Sequence, residues 1–390
     1  MSVDALRGFD MFWIIGAGSL ARAIQRMDDN RATRFVSEQL QHVQWVGLRF
    51  NDLIFPLFLF LMGVSLPFSL DKLIARSGML AALVRIVRRS LLLYALGVFC
   101  TGGLTDRWPE VQLGGVLQRI AACYLAAALL YCALRARALA AAAVVLLVGY
   151  WGLLAYVPFP DLHLDRPAVA ALAKTIGSDS PAKLAAAVPG RVHGSYDEGY
   201  NLTNYVDFRL LPGKKPRGYY INEGLLSTLP AIALPLLGAL AGLLLGSGRI
   251  PARRKVGWLL AAGVVGVLVG LAWSVELPII KRIWTSSFVL VAAGYSAIVL
   301  GLFYLVVDVW KLRAWCQPLV WLGMNSITIY LAVNIVSFPR VAERLAGGDI
   351  RYLLNAQMAG LGDLVVAVLS LGLAVALVGF LHRKKIFLRV

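Results

Sequence analysis

An all-α, polytopic membrane helix bundle is the fold class this sequence predicts, and three observations carry it. Of 390 residues, 59% are hydrophobic and only 15% charged, against roughly 45–50% and 25% in soluble domains. Mean hydropathy is +0.73. The apolar residues gather in blocks of about 20, the length a helix needs to cross some 30 Å of hydrocarbon. Together these exclude a water-soluble globular enzyme, a disordered chain and a fibrous one.

About ten blocks meet that length: 5–24, 53–70, 83–102, 113–134, 139–156, 225–245, 256–275, 283–307, 319–338 and 361–381. The first is interrupted by Asp10 and followed by polar residues after Gly18. Asp4 and Arg7 precede its apolar run and no small-residue cleavage site follows, so it is expected to be a permanent span rather than a removed signal. The even-numbered connections are basic: Lys72, Arg76, Arg85, Arg88 and Arg89; Arg135 and Arg137; Arg249, Arg253, Arg254 and Lys255; Lys311 and Arg313; and, after the last span, Arg383, Lys384, Lys385 and Arg389. The odd-numbered connections mix signs, with Arg26, Asp28, Asp29, Arg31, Arg34 and Glu38 in one and Asp106, Arg107 and Glu110 in the next. Short loops rich in Lys and Arg stay in the cytoplasm, which places both termini inside.

That loop-by-loop alternation also accounts for the formal net charge of +17. No basic stretch interleaved with aromatics stands apart from the spans, so nucleic acid is not expected as a partner and the lipid bilayer is. Cys100, Cys123, Cys132 and Cys316 lie in or beside apolar blocks, with no C-x-x-C and no His at ligand spacing; they read as small buried side chains, and no metal is expected.

A single transmembrane domain, 1–390, is expected, with 158–222 as a periplasmic loop within it. The aromatics of 194–220 (Tyr196, Tyr200, Tyr205, Phe208, Tyr219 and Tyr220) mix with Asp, Glu and Asn. Such a mixture suits the lining of a carbohydrate or small-ligand site, and equally an interfacial aromatic belt.

Candidate chemistry is sparse. His42, near the start of the second span, is followed by Trp45, Asn51 and Asp52. Imidazole is the side chain that ordinarily titrates closest to neutrality, and a carboxylate nearby would suit a general base; an interfacial His bonded to a carbonyl is the alternative. Asp52 could orient His42 or serve only to cap the second helix. Arg119, inside the fourth span, needs a cavity or a partner, with Asp4, Asp10 and Asp52 as candidates; it reads as a ligand contact or as half of a structural ion pair. Asn325, Ser326 and Asn334 in the ninth span could bind a polar ligand or other helices. Glu223, opening the sixth, suits a hydroxyl- or amine-bearing ligand or the helix dipole. No Walker A loop, G-x-G-x-x-G, H-E-x-x-H or G-x-S-x-G is present, which argues against an ATPase, a Rossmann enzyme and a zincin.

Motifs take the reading further. Ser2-Val3-Asp4-Ala5-Leu6-Arg7-Gly8 is followed by His42, Trp45, Gly47-Leu48, Asp52-Leu53-Ile54-Phe55-Pro56, Phe58, Phe60 and Met62-Gly63. Then come Gly115-Val116-Leu117-Gln118-Arg119-Ile120, Asn201-Leu202, Asp207, Glu223-Gly224-Leu225-Leu226-Ser227-Thr228, Leu237-Gly238-Ala239-Leu240-Ala241-Gly242, Ile283-Trp284-Thr285-Ser286-Ser287-Phe288 and Gly323-Met324-Asn325-Ser326-Ile327. In this order the series resembles the heparan-α-glucosaminide N-acetyltransferase family and its bacterial relatives along nearly the whole chain. The resemblance implies a transmembrane acetyltransferase that takes acetyl-CoA from the cytosol and delivers the acetyl group to the amine (or hydroxyl) of an amino sugar such as glucosamine, or of a glycan terminus, at the outer face of the bacterial inner membrane. It implies His42 as the catalytic histidine, with Asp52 orienting it. Lysosomal members carry an Asn shortly before that histidine; here the aligned region reads Gly16, Ala17, Gly18 and Ser19, so Ser19, Asn51 or a backbone N–H would take its place.

On this reading Trp45, Asn51, Arg119, Asp207, Glu223 and Asn325 face substrate. Arg85, Arg88, Arg89 and Arg253 are candidates for the CoA phosphates, which Arg forks and clustered charge suit; the same residues also satisfy the topology rule with no ligand. A homodimer is a candidate assembly, since small residues are plentiful in the spans. The competing function is an amino-sugar transporter without covalent chemistry, and a third is a subunit of an envelope polysaccharide machine.

Overall fold

The computed structural model describes residues 1–27, 30–105, 107–108 and 110–387. Asp28, Asp29, Asp106 and Arg389, which enter the loop-charge pattern, lie outside the described residues. In chain order the helices are α1 (Ser2–Arg26), α2 (Arg31–Gln39), α3 (Phe50–Cys100), α4 (Val116–Ala133), α5 (Ala136–Tyr156), α6 (Arg166–Ile176), α7 (Pro181–Ala187), α8 (Leu202–Leu210), α9 (Thr228–Gly246), α10 (Ala252–Trp273), α11 (Ser286–Phe303), α12 (Gln317–Met324), α13 (Ser326–Ile335), α14 (Phe338–Ala346), α15 (Gly348–Gln357) and α16 (Leu361–Arg383).

Among the described residues, seven helical segments are long and apolar enough to cross a membrane: α3, α4, α5, α9, α10, α11 with its π-helical extension to Val309, and α16. An eighth joins the count if the pair Ala314–Met324 and Ser326–Ile335, bent by 68°, is one span. The protein is thus a multi-pass, predominantly helical membrane protein, and the ten expected blocks map onto this count as follows. Blocks 53–70 and 83–102 fall on the two helical halves of α3, counted there as one 51-residue segment although they are separated by a kink at Gly78, whose φ of 80° and ψ of 172° leave the helical region. Block 5–24 is helical, as α1, but Asp4, Arg7, Asp10, Arg22 and Arg26 punctuate it and it is not among the seven. Block 319–338 is divided at Asn325.

The chain forms two compact units. The first comprises Met1–Leu61, Ser247–Val265 and the chain from Gly294 onward. Here α1 packs on α2, α12, α13 and α16. Its contact with α12 is backbone on backbone: a Cβ built on Gly8 would lie 1.6 Å from the Leu319 carbonyl oxygen, and one on Gly323 1.9 Å from that of Asp4. Small residues permit this approach where apolar packing between helices gains little from lipid exclusion. Met11, Leu322, Ile329, Phe338, Ala374 and Val378 form the adjoining core. α2 starts in a capping box, the Asn30 side chain accepting from the Ala32 and Thr33 N–H groups while Thr33 accepts from that of Asn30. It is laid against α1 by the Ser37 hydroxyl, which donates to Ala21 O (3.3 Å), and by Leu40 packed with Ala17 and Ala21. This fixes the 40–49 connection that leads into α3.

The second unit comprises Met62–Gly246 and Gly266–Ala293. Its α4 and α5 pack on α9, and α8 touches α5. The long segment 158–222 is folded. β1 (Phe159–Pro160) pairs with β2 (Arg191–Val192), and β3 (Tyr196–Asp197) with β4 (Tyr200–Asn201), both antiparallel. Asp165 caps α6 by accepting from Ala168 N–H, and Asn201 caps α8 by accepting from Asn204 N–H. Leu162, Leu164, Val169, Leu184, Phe208 and Tyr220 form a small core. Most of the aromatics of 194–220 are used internally: Phe208 and Tyr220 in that core, Tyr200 and Tyr205 against Phe159.

Candidate functional site

In the first unit, His42 stands in the connection that α2 and Leu40 hold against α1. Its Nδ1 lies 2.9 Å from Asp52 Oδ1. The His42 side chain is 58% exposed, the Asp52 side chain 1%. Asp52 occupies the third position of α3, and its second oxygen accepts from the backbone N–H groups of Arg49 (3.1 Å) and Val43 (3.3 Å). Reaching back to the residue before the helix is what a third-position acid does in a capping box. One buried carboxylate therefore closes the helix start, pins the connection and holds the imidazole, so the two sequence-based roles for Asp52 coexist. Held this way, the ring keeps Nε2 on the edge away from Asp52. The Asn51 amide donates to Leu40 O (3.0 Å) and braces the same corner. Trp45 lies half-buried in the connection. Asn325, also in this unit, marks the α12–α13 break; its side chain is buried, with Nδ2 3.5 Å from Trp321 O and no partner on Oδ1.

In the second unit a buried polar cluster forms around Gly224. Arg119 is 2% exposed. Its Nη2 donates to Gly224 O (3.2 Å) and to the Ser227 hydroxyl, and its guanidinium carbon sits 5.2 Å from the centre of the Trp284 ring. Its Nε and Nη1 have no hydrogen-bond partner among the described residues. Asp207, fully buried, accepts from Leu225 N–H through Oδ1 (2.9 Å), and the Ile221 N–H also acts on its carboxyl. A Cβ on Gly224 would fall 2.0 Å from Oδ2 of Asp207, so any larger residue there would displace the carboxylate. Glu223 is half-buried, and its carboxylate and that of Asp207 act on the guanidinium electrostatically. The acids considered for Arg119 are engaged elsewhere: Asp4 pairs with Arg7 (3.2 Å), Asp52 holds His42, and Asp10, fully buried and without a hydrogen bond among the described residues, feels the charge of Arg7. The correction has a physical basis, since a carbonyl, a hydroxyl and an indole face together offset much of the guanidinium's desolvation.

Burial pushes the Asp207 carboxyl up to about 6, against the pull of Leu225 N–H and the charge of Arg119. The folded state thus holds a proton there that the unfolded chain releases between about pH 4 and 6. Stability from this group is complete below that window and is lost as pH rises through it, a difference of roughly 3 kcal/mol. In detergent, the wild-type unfolding midpoint is expected to fall from pH 5 to pH 7 by more than that of Asp207→Asn; equal slopes would refute the assignment.

Arg85, Arg88 and Arg89 lie at helical spacing on α3. Arg85 and Arg88 are exposed, and Arg89 is half-buried with its guanidinium carbon 4.6 Å from the centre of the Tyr124 ring. Arg253 is exposed on α10, in the first unit. Three participants in the Arg119 cluster were assigned no role from sequence. Ser227 and Trp284 stood in the motifs without one; Trp284 has φ 51°, a left-handed conformation that bulky residues adopt at a cost of about 1–3 kcal/mol and that gathers at functional sites. Tyr150, whose hydroxyl donates to Ile283 O (2.5 Å) and bonds Thr203 (2.9 Å), lies in an apolar block with no motif to single it out.

Fold and site together define a multi-pass membrane protein that presents an imidazole backed by a buried carboxylate. A family model described as a domain of unknown function, DUF5009, matches residues 1–165. Heparan-alpha-glucosaminide N-acetyltransferase of Homo sapiens is 26% identical over 404 aligned residues, and that of Mus musculus 26% over 405; each alignment takes in 90% of this chain and 56% of the relative. The chain spans about half the length of these curated relatives and is distantly related to them, as the motif series led us to expect.

Proposed function

We propose that this protein is a transmembrane acetyltransferase, moving the acetyl group of cytosolic acetyl-CoA to the amine of an amino sugar such as glucosamine at the outer face of a bacterial inner membrane. The observation that carries the reading is the contact of His42 Nδ1 with the buried Asp52 carboxylate; the names of the two relatives supply the reaction class. With Nδ1 protonated and donating to Asp52, Nε2 is the basic nitrogen. It takes a proton from the acceptor amine as the amine nitrogen attacks the thioester carbonyl. The C–N bond forms, the C–S bond breaks, and the departing CoA sulfur receives the proton that His42 holds. Asp52 stabilises the transient imidazolium and fixes its tautomer. In this proposal Trp45, Asn51, Arg119, Asp207, Glu223 and Asn325 line the path of the substrates. Arg85, Arg88, Arg89 and Arg253 are the candidates for gripping the CoA phosphates on the cytoplasmic side, where both termini lie.

The test uses purified full-length protein with labelled acetyl-CoA and glucosamine. The expected products are acetylated sugar and free CoA in equal amounts. Glucosamine uptake into proteoliposomes without CoA, and no acetylated product, would instead establish the transporter reading, which the bent α12–α13 pair favours because broken helices line many transport sites.

A further inference from the structure

The first unit holds an open cavity of about 170 Å³ whose charged side, formed by Arg22 and Arg26 of α1, Glu343 of α14, Arg351 of α15 and Asp363 of α16, faces an apolar side that includes Pro339 and Val366. Its charges are unequally spent. Asp363 is held from both sides, by Arg26 Nη1 at 2.7 Å and by Arg351 Nη2 at 2.5 Å and Nε at 2.8 Å. Glu343 takes the remaining arm of Arg351, at 2.7 Å. Both acids are thereby paired, Asp363 largely buried and Glu343 exposed, and Arg22, exposed on α1, has no carboxylate partner among the described residues. Arg22 and Arg26 also stand one turn apart, and like charges at that spacing repel. The α1 dipole favours cations at this end, but it explains neither the cavity in front of them nor the surplus charge facing it.

We infer that this cavity is a binding site for a small polar molecule carrying one oxyanion, a carboxylate or a phosphate, and that Arg22 grips that group with its guanidinium fork. A planar fork meets two oxygens of such a group at once. The space suits a molecule much smaller than a drug-sized ligand, and the braced Arg26–Asp363–Arg351–Glu343 network presents it as a preformed wall. This inference is independent of the acetyltransferase reading. The oxyanion could belong to a free metabolite or to a lipid headgroup, and the two sources are separable.

Glycerol phosphate is titrated into full-length protein in neutral detergent, with binding followed by calorimetry and by the unfolding midpoint; glycerol is the uncharged control. In parallel, the midpoint is compared in nanodiscs of phosphatidylglycerol and of phosphatidylcholine. The variants are Arg22→Gln and Arg166→Gln, a surface arginine of the other unit. Glycerol phosphate is expected to bind wild type and Arg166→Gln, and to bind Arg22→Gln roughly tenfold more weakly or worse, the size of one charge-assisted hydrogen bond. A lipid source gives instead a phosphatidylglycerol-specific rise in midpoint that Arg22→Gln abolishes. If Arg22→Gln matches wild type in both arms, or if glycerol does as well as its phosphate, the inference is wrong.

Discussion

His42→Ala is expected to lower acetyl transfer by roughly 10²–10⁴-fold, the range that a positioned general base contributes. The loss should fall on kcat, with KM for acetyl-CoA nearly unchanged, because the imidazole acts on the proton in flight and not on the nucleotide. Asp52→Asn should give a smaller loss in the same direction. The amide keeps one acceptor oxygen, for Nδ1–H or for the Val43 and Arg49 amides but not for both, and it removes the charge that stabilises the imidazolium. Asp52→Ala should add a structural defect, since it also uncaps the start of α3, typically worth about 1 kcal/mol. Steady-state kinetics on the purified variants, with unfolding midpoints to verify folding, separate these effects. Full activity in His42→Ala would reject the assignment.

Gly8→Ala is expected to have the largest effect on stability. A Cβ at that position would stand 1.6 Å from the Leu319 carbonyl oxygen, and the obstacle is backbone, which no rotamer change can relieve. The two helices must separate, and Gly323 against Asp4 in the same contact leaves no slack. Overpacking costs about 1–3 kcal/mol and more where the wall cannot yield, so a loss of roughly 3 kcal/mol or more is expected. Gly149→Ala is the control: nothing lies within 4 Å of its built Cβ, and alanine in an α-helix should leave stability unchanged or slightly raised. Thermal unfolding in detergent reads both, and a Gly8→Ala midpoint equal to wild type would overturn the packing argument.

The apolar blocks were legible because hydropathy over about 20 residues is a local property. The His42–Asp52 contact was legible for a related reason, being ten residues long in sequence and anchored at a helix start. The connection after the second block was legible too, since Gly78 leaves the helical region among Lys72, Arg76 and Arg85, but the sharp bend at Asn325 within the ninth block was not, because no proline or charge marks it. The fold of 158–222 left no periodic trace, since two-residue strands and a six-residue core carry no repeat to detect. Arg119 was visible as a buried cation, but Ser227 and Trp284 reach it from more than a hundred residues away. Only the three-dimensional arrangement could choose them over the acids of the early spans.

The triple use of the Asp52 carboxylate makes the proposed active site observable without turnover. The amide protons of Val43 and Arg49 both point at the oxygen opposite the imidazole, so their hydrogen–deuterium exchange rates report whether that carboxylate is in place. Any ligand that tightens the corner should slow both amides together, and any change that frees the carboxylate should release both. Two backbone positions outside the reacting atoms thus serve as a built-in gauge of the site's readiness.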